Sequence, residues 1–364
     1  MATTGGTLYV TTGLHGGGAE RLLVTTVLQR DPSERVLVVS LTPGGIFRPA
    51  LEAAGVEVVD FGMRRRRDGP RCVLALVRLV RAKRPDVIYA WMYHANIAAT
   101  LARALAGCHR TPLFWANFCT DSLGPRPRWS ASLLRRTAAW LSGWTDGVVY
   151  NAEAARDYHR QIGFHEARSI VLGNVIDPAV FRLDRSARQS IRDEIGLSAT
   201  DLVVAAVARV DPMKDWGAVQ QAVQDMPGVV TVAMGDQTDR LPPQPGFLGL
   251  GWRNDVERVL GASDIFLLGS AFGEGTSLAL GEAMLCGLPC IVTAVGDHAA
   301  TVGDAGIVVP PRQPQAIRAA IEQLAADPAR REALGRAARA RALSALSQPN
   351  TFARLRDHSL GLGR

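Results

Sequence analysis

The sequence predicts an α/β protein built from parallel β-sheets flanked by helices. Short apolar segments of strand length alternate with helical patterns along most of its 364 residues, and this alternation is typical of repeated β–α–β units. One unit stands out over residues 264–292, where an apolar strand, a Gly-rich loop, a helix and a second strand follow one another. The length accommodates two domains of ordinary size, each with its own core.

The composition limits the class of protein further. Hydrophobic residues make up 47% of the chain, no apolar run reaches the length of a membrane span, and the amino terminus lacks the basic and apolar regions of a signal peptide. The five cysteines are scattered, odd in number and include no C-x-x-C pair, which indicates reduced thiols. We therefore expect a cytoplasmic globular protein.

The charge favours acidic partners. A net charge of +7 at pH 7 suits nucleotide diphosphates, anionic lipid surfaces or nucleic acid, but no nucleic-acid recognition motif accompanies it, so we expect no nucleic-acid partner. The run Arg64–Arg67 indicates an exposed loop, which is either a solvated turn or a contact for lipid headgroups or a phosphorylated acceptor. The seven histidines show no ligand spacing and no Asp-x-Asp occurs, so we expect no metal and no other cofactor.

The unit over residues 264–292 is the most informative segment. Asp264–Leu268 is predicted as a buried strand, and Gly273 begins a turn into a helix that runs from near Thr276 to Gly287. The free N–H groups of a first helical turn and the helix dipole both favour an anion. The sequence therefore predicts a phosphate site formed by Gly275, Thr276, Ser277 and Leu278.

Two carboxylates frame this helix. Glu274 lies in the loop, and Glu282 lies eight positions later among apolar residues of the helix, where a buried carboxylate needs partners. A lone Glu of this kind is commonly satisfied by neighbouring backbone or an Arg. The pair at this spacing, however, resembles the E-x7-E signature of retaining glycosyltransferases of the GT-B fold, glycosyltransferase family 4. The resemblance implies that Glu274 contacts the transferred sugar and that Glu282 holds the nucleotide ribose.

Other segments extend the resemblance over nearly the whole chain, most strongly over residues 202–325. Arg209 and Lys214 match the family's R-x4-K element, which implies a grip on the donor pyrophosphate, although a solvated loop would carry charges too. The chain has only two lysines, and a Lys kept at this position indicates that a compact ammonium is needed. The resemblance further implies donor contacts from Asn174, Gly251 and Arg253.

The glycine loop after the first strand, Gly13–Gly18, resembles the family's pattern more weakly than residues 202–325 do. Its spacing is not G-x-G-x-x-G, so a tight turn between strand and helix is an alternative to a phosphate loop. The resemblance implies that the amides of Gly17 and Gly18 face the donor diphosphate, and it leaves His15 as a candidate on the acceptor side.

The acceptor side is predicted with fewer signals. His94 lies in the segment WMYHAN, which resembles polysaccharide-type members of the family and implies a place at the acceptor, although a core or capping His is equally expected. The loop Ala116–Asp121 lacks the His or Arg that relatives often carry there. Its polar candidates are Asn117 and Asp121. Residues 129–143 combine tryptophans and leucines with nearby arginines, so this helix either lies on a membrane surface or packs on its own sheet.

The resemblance implies the GT-B architecture, in which two Rossmann-like domains have parallel sheets that face each other across a cleft. We expect an acceptor-binding domain over residues 1–183 and a nucleotide-sugar-binding domain over residues 184–346. A last helix, about residues 347–364, is expected to pack back on the first domain.

The implied function is a retaining, metal-independent transfer of a sugar from a nucleotide diphosphate sugar to a glycan, lipid-linked or other small acceptor. The resemblance places this transfer in bacterial cell-surface polysaccharide or glycoconjugate synthesis. UDP is preferred as the nucleotide and GDP is next, from family frequency alone. Without a metal, fixed groups must stabilise the departing diphosphate. No residue is an evident covalent nucleophile, so we expect front-face attack, with catalytic roles for Glu274, Arg209, Lys214 and His94.

Two alternatives stay open at this point. A sugar-nucleotide epimerase could share the architecture and the basic site. A catalytically silent subunit could bind nucleotide or lipid at a membrane, and the altered loop Ala116–Asp121 is the feature that favours it. The intact acid pair and the R-x4-K element favour an active transferase.

Overall fold

The structure is a computed structural model, and it describes residues 6–121, 129–165, 168–174, 176–182, 188–345 and Leu355. The chain divides into two compact units. Unit 1 comprises residues 1–173 and 349–364, and unit 2 comprises residues 174–348. Each unit is an α/β structure with one parallel sheet, as the alternating pattern predicts.

The described part of unit 1 contains seven strands and six α-helices. Its strands are β1 (Thr7–Thr11), β2 (Val36–Ser40), β3 (Glu57–Asp60), β4 (Val87–Trp91), β5 (Leu113–Asn117), β6 (Gly147–Tyr150) and β7 (Ser169–Val171). Its helices are α1 (Gly18–Leu28), α2 (Arg48–Ala53), α3 (Gly69–Lys83), α4 (Met92–Ala106), α5 (Trp129–Leu141) and α6 (Glu153–Gln161).

The described part of unit 2 contains six strands and seven α-helices. Its strands are β8 (Leu202–Val207), β9 (Val229–Met234), β10 (Phe247–Gly249), β11 (Ile265–Leu268), β12 (Cys290–Thr293) and β13 (Gly306–Val309). Its helices are α7 (Arg188–Glu194), α8 (Trp216–Val223), α9 (Val256–Ala262), α10 (Leu278–Leu285), α11 (His298–Val302), α12 (Pro314–Ala326) and α13 (Pro328–Ala345).

The sheet of unit 1 has the order β3-β2-β1-β4-β5-β6-β7. Alternate residues of β1 face opposite layers, because successive side chains of a strand point to opposite faces. Leu8 and Val10 join the core beneath α3, α4 and α5, whereas Tyr9 joins the core beneath α1 and α2. Leu355 is buried in the second of these cores, and its carbonyl accepts a hydrogen bond from the Tyr89 hydroxyl at 3.1 Å. The rest of the predicted last helix lies outside the described residues.

The sheet of unit 2 has the order β10-β9-β8-β11-β12-β13. The order reverses between β8 and β11, which are hydrogen-bonded neighbours. In unit 1 the reversal falls between β1 and β4, which also pair directly. In sheets of this kind ligands bind outside the carboxyl ends of the strands at the point of reversal. Each unit therefore has one sheet edge where a site is expected.

The division between the units differs from the prediction. Residues 174–182 were expected in the first domain, but Ile176 and Phe181 are 4% exposed and pack in the core of unit 2. A buried apolar side chain belongs to the core that it fills, so the second unit begins at Asn174. The expected boundary itself falls within residues 183–187, outside the described part of the chain.

The five cysteines are free thiols. No helix within the described ranges has both the length and the apolar character needed to cross a bilayer.

Candidate functional site

Lys214 and Glu274, a predicted cation and a predicted acid, are in contact at the edge of unit 2 where β8 and β11 end. Lys214 ends a one-turn 3₁₀ helix, Pro212–Lys214, that follows β8, and Glu274 lies in the loop between β11 and α10. The Lys214 Nζ donates a hydrogen bond to Glu274 Oε1, and the Ser270 hydroxyl donates to the same oxygen at 2.6 Å. The side chains of Lys214 and Glu274 are 13% and 10% exposed, so they form a largely buried ion pair.

The local sequence explains why these side chains meet. The Asp211 carboxylate caps the 3₁₀ helix by accepting from the Met213 N–H at 2.9 Å. The Met213 carbonyl in turn accepts from the Ala271 N–H at 2.7 Å, which joins this turn to the loop that carries Glu274. Asp215 adopts the left-handed conformation at φ 47° and its carboxylate caps α8. The turn therefore ends immediately after Lys214, and the chain leaves as a helix.

The electrostatics keep Glu274 ionised. Burial raises the pKa of this carboxyl, but the Lys214 ammonium, His298 and the hydrogen bonds from Lys214 and Ser270 outweigh it and lower the pKa to about 2. Both of these hydrogen bonds reach Oε1, and within the described residues no donor is bonded to Oε2. Oε2 is therefore the oxygen with capacity for a ligand hydroxyl.

Arg209 lies apart from this pair. Its guanidinium donates to Asp211 Oδ2, at 3.0 Å from Nη2 and 3.2 Å from Nε, and its side chain is 39% exposed. The Arg209 carbonyl accepts from the Trp216 indole at 3.1 Å. The structure thus places both predicted cations at the carboxyl end of β8 but pairs them with different acids.

The helix after Glu274 begins two residues later than predicted. Ser277 is its N-cap and accepts from the Leu280 N–H at 3.4 Å, so α10 starts at Leu278 rather than near Thr276. The amides predicted to form the phosphate site, at Gly275, Thr276, Ser277 and Leu278, therefore belong to the loop, the cap and the first helical residue. Glu282 lies within α10 and is 2% exposed.

The loop between β12 and α11 fixes the Glu274 loop from the other side. The Asp297 N–H donates to the Gly275 carbonyl at 2.9 Å. Gly296 has φ +54°, and a Cβ there would overlap the carbonyl oxygens of Glu274 and Gly275. Only glycine allows both this conformation and this approach at little cost.

Asn174 supports the same loop. Its amide donates to the Thr276 carbonyl at 3.3 Å, and its side chain is 4% exposed. The Asn174 Oδ1 is buried, with no hydrogen-bond partner in the part of the chain that is described. The structure thus brings Asn174 to the predicted phosphate loop, where it holds the backbone.

His298 is a neighbour that the candidate residues did not include. It is fully buried, and its Nδ1 lies 3.2 Å from the Thr293 carbonyl, which only accepts. Its Nε2 is buried and has no hydrogen-bond partner among the described residues. Burial lowers the pKa of His298, while Glu274 raises it and Lys214 lowers it. No spacing in the sequence showed that this imidazole lies beside the ion pair.

Two residues predicted to contact the donor, Gly251 and Arg253, lie at the carboxyl end of β10. Gly251 has φ +67°, its N–H donates to the Thr238 hydroxyl at 3.0 Å, and its carbonyl accepts from Gly235 at 2.8 Å. The Arg253 guanidinium is bonded to Asp255 and Glu194, at 2.8 to 2.9 Å. The hydrogen bonds that Arg253 donates to the Asp255 carboxylate are the main cause that raises the Arg253 pKa. Arg253 therefore helps to hold this loop in place.

The candidates in unit 1 are more dispersed. Gly17 caps α1 and Gly18 begins it. His15 is exposed, and its Nε2 lies 3.3 Å from the Thr42 hydroxyl. His94 lies exposed in the first turn of α4, two residues after Met92, which adopts φ +68°.

One acceptor-side candidate, Asn117, is buried inside unit 1, and its contact with an acceptor stays a prediction. Asn117 is fully buried, and its amide is hydrogen-bonded to that of Asn96 at 2.8 Å, so its side chain is used inside unit 1. Asp121 is partly exposed, accepts from the Tyr158 hydroxyl at 3.0 Å and lies 3.7 Å from Arg135. Of the two polar candidates, Asp121 is therefore the one with exposed side-chain surface.

A metal centre is a separate question. Within the described ranges, no group of three His, Cys, Asp or Glu side chains is arranged to hold a metal ion. Metal independence stays a prediction.

The two parallel sheets define a Rossmann-like α/β protein, with a buried Lys–Glu pair at the strand reversal of unit 2. A family model described as Glycosyltransferase Family 4 matches residues 16–180, and one described as Glycosyl transferases group 1 matches residues 202–327. The chain belongs to glycosyltransferase family 4, and its units have the GT-B type of fold. The predicted family and fold class are thus confirmed.

Named relatives agree with this family. The chain is 25% identical over 250 residues to the Escherichia coli UDP-Gal:alpha-D-GlcNAc-diphosphoundecaprenol alpha-1,3-galactosyltransferase, an alignment of 63% of this chain and 62% of that one. It is 30% identical over 173 residues to the D-inositol 3-phosphate glycosyltransferase of Mycobacterium tuberculosis, covering 43% and 35% of the two chains. The matched regions thus span less than two thirds of these relatives.

A solved structure resembles the whole chain. The crystal structure of Anabaena HepE in complex with UDP and glucose has a TM-score of 0.84 and 22% identity, and the match covers 98% of this chain and 99% of that chain. At this identity the likeness concerns the fold.

Proposed function

We propose that the protein transfers a sugar from a nucleotide diphosphate sugar to a hydroxyl group of a glycan, a glycolipid or another small acceptor, with retention of the anomeric configuration. The observation that carries this proposal is the buried Lys214–Glu274 pair at the strand reversal of unit 2. The complexes of Anabaena HepE with UDP and glucose and with UDP-glucose support it, as do the names of the relatives.

The reaction sets an electrostatic requirement that these residues meet. Breaking the bond between the anomeric carbon and phosphate leaves negative charge on the diphosphate. We assign the stabilisation of that charge to Lys214, Arg209 and the amides at residues 275–278. One preorganised donor of this kind contributes roughly 3–4 kcal/mol to stabilising the transition state. The partly exposed Arg209 can turn from Asp211 to a ligand without uncovering a buried acid.

The acids have separate roles in this proposal. Glu274 uses Oε1 for Lys214 and Ser270, and its Oε2 orients the hydroxyl groups of the transferred sugar. Glu282 holds the ribose, and His94 serves the acceptor. The incoming hydroxyl attacks from the face that the diphosphate leaves, and the departing phosphate accepts its proton, so no metal ion or covalent nucleophile is needed.

UDP is the preferred nucleotide and GDP the next. The name of the Escherichia coli relative contains UDP-Gal and a diphosphoundecaprenol acceptor, which supports a UDP-sugar donor and a lipid-linked acceptor here. With such an acceptor the protein would work on the cytoplasmic face of a membrane, in the synthesis of a bacterial surface polysaccharide or glycoconjugate.

Two measurements test the proposal. Thermal unfolding of the full chain is followed with UDP, GDP and their sugars, because a ligand that binds only the native state raises its apparent stability. We expect UDP to raise the unfolding temperature and a UDP-sugar to be consumed when acceptor is present, with or without EDTA. An unchanged unfolding temperature with every nucleotide, or turnover abolished by EDTA and restored by a divalent ion, would contradict it.

A further inference from the structure

Helix α5 of unit 1 has two apolar faces. Ala138 and Leu141 are buried in the core beneath the sheet, so one face is used in folding. The opposite face carries Trp129, Leu133 and Trp140, which are 80%, 56% and 66% exposed. Their spacing of four and seven residues places them on one side of a helix.

The exposed face continues beyond the helix. Trp144, which is 48% exposed, ends the 3₁₀ turn Ser142–Trp144, and its ring centroid lies 5.2 Å from that of Trp140. Large apolar side chains scattered singly on a surface are ordinary, but a contiguous set marks a contact surface. We call the four residues Trp129, Leu133, Trp140 and Trp144 the Trp surface.

The charged residues of the helix that carries the Trp surface are basic, and acidic residues lie nearby at Asp146, which pairs with Arg103, and at Asp121, 3.7 Å from Arg135. Residues 129–145 contain two arginines and no acidic residue. Arg135 is tied to the Tyr158 hydroxyl at 2.9 Å, whereas Arg136 is exposed and lies in sequence between Leu133 and Trp140. Indole rings favour the interface between lipid and water because they join an apolar body to one polar N–H, and arginine pairs with phosphate.

We propose that the Trp surface docks the protein on a membrane that contains anionic phospholipids. The tryptophans and Leu133 enter the headgroup region, and Arg136 contacts lipid phosphate. This inference rests on the proposed function, because a lipid-linked acceptor is presented at such a surface. Helix α5 packs against α4, which carries His94, so the docking helix adjoins the element assigned to the acceptor.

The test uses sedimentation of the full chain with vesicles of phosphatidylcholine alone and with one third phosphatidylglycerol. We expect the wild-type protein to sediment with the anionic vesicles and its tryptophan fluorescence to shift to shorter wavelength. Replacement of the three tryptophans by serine should weaken this binding at least tenfold. Arg136→Ala should weaken binding to the anionic vesicles only.

Two leucines give a matched control. Leu133→Ser removes a residue of the Trp surface, and Leu105→Ser removes a leucine of α4 that is also 56% exposed. We expect weaker vesicle binding for the first variant and unchanged binding for the second. Thermal unfolding of each variant shows whether the fold is intact.

Three results would overturn the inference. One is a wild-type protein that does not sediment with either vesicle, and another is equal binding by the variant lacking the three tryptophans. The third is a wild-type protein that is a dimer and binds no lipid, together with a monomeric variant lacking the three tryptophans. The Trp surface would then contact a second copy of the chain. UDP binding is measured on the same samples, so failure of docking with UDP binding intact would leave the proposed function standing.

Discussion

The carboxyl edges of the two sheets are built differently. In unit 2, neighbouring strands bring Lys214 and Glu274 into a buried pair that Ser270 supports. In unit 1, the corresponding edge carries His15 and His94 exposed on separate elements. A buried ion pair has a fixed geometry, whereas an exposed side chain can change its rotamer at little cost. The function proposed above assigns the donor to the edge of unit 2 and the acceptor to the edge of unit 1.

The largest effect is expected from breaking the pair in unit 2. Lys214→Ala should lower transfer by about 100-fold or more, since a preorganised donor is worth roughly 3–4 kcal/mol. It should also reduce the free energy of unfolding by about 3–5 kcal/mol, because Glu274 is left buried without its counterion. Release of nucleoside diphosphate and denaturant unfolding measure the two effects.

The double variant Lys214→Ala/Glu274→Gln separates these effects. It removes both charges, so it should recover much of the stability without recovering transfer. Lys83→Ala/Glu57→Gln is the matched control, because it removes an ion pair of the same type, at 2.9 Å, whose side chains are 48% and 53% exposed. Near wild-type transfer by Lys214→Ala would refute the role assigned to this lysine.

A glycine substitution compares the rigidity of the two units. Gly296→Ala should cost clearly more stability than Gly44→Ala and should weaken UDP binding. Both positions have positive φ, at +54° and +73°, and each costs about 1–2 kcal/mol for a left-handed alanine. Only at Gly296 would the new Cβ overlap neighbouring carbonyl groups. Equal costs in urea unfolding would show that the loop of Glu274 tolerates displacement.

Lowering the pH should reduce the free energy of unfolding of both units, because each contains a buried histidine. Burial lowers the pKa of His159 in unit 1 to about 4, and it lowers that of His298 in unit 2. The folded pKa lies below the unfolded value near 6.5, so this stability is present above pH 6.5 and lost as the pH falls toward the folded value. For His159 the loss is about 3 kcal/mol between pH 6.5 and 4.

Hydrogen exchange resolved by peptide measures this loss in each unit. His159→Gln should flatten the pH dependence of peptides from unit 1 and leave that of unit 2, where His298 remains. His109→Gln, at an exposed position of unit 1, is the control. An unaltered pH dependence in His159→Gln would show that another group controls the acid sensitivity.

The smallest effect is expected at the acceptor side. His94→Ala should lower the kcat/KM for the acceptor about tenfold, as for the loss of one hydrogen bond, and leave the KM for the donor unchanged. His15→Ala tests the second exposed histidine by the same kinetics. If only the KM for the donor changes, His94 contacts the donor and not the acceptor.

The sequence predicted unit 2 better than unit 1 for a physical reason. Gly273, Glu274 and the helix after them lie within one β–α–β unit, so local spacing reports their geometry. Asn117 was also a polar candidate at the end of a strand, but it is buried and hydrogen-bonded to Asn96 from the preceding helix. His298 was missed because its relation to Glu274 comes from the packing of two separate loops.

The sequence alone determined the order of strands and helices, the parallel sheets, the family and the residues that could form a charged site. These features depend on local periodicity, turn residues and fixed spacing. Tertiary structure decided which of those residues meet. It paired Lys214 with Glu274 and Arg209 with Asp211, buried Asn117, placed His298 beside the ion pair, and left three tryptophans of unit 1 facing solvent. These outcomes depend on which loops and helices pack together, and that packing is set by contacts between residues far apart in the chain.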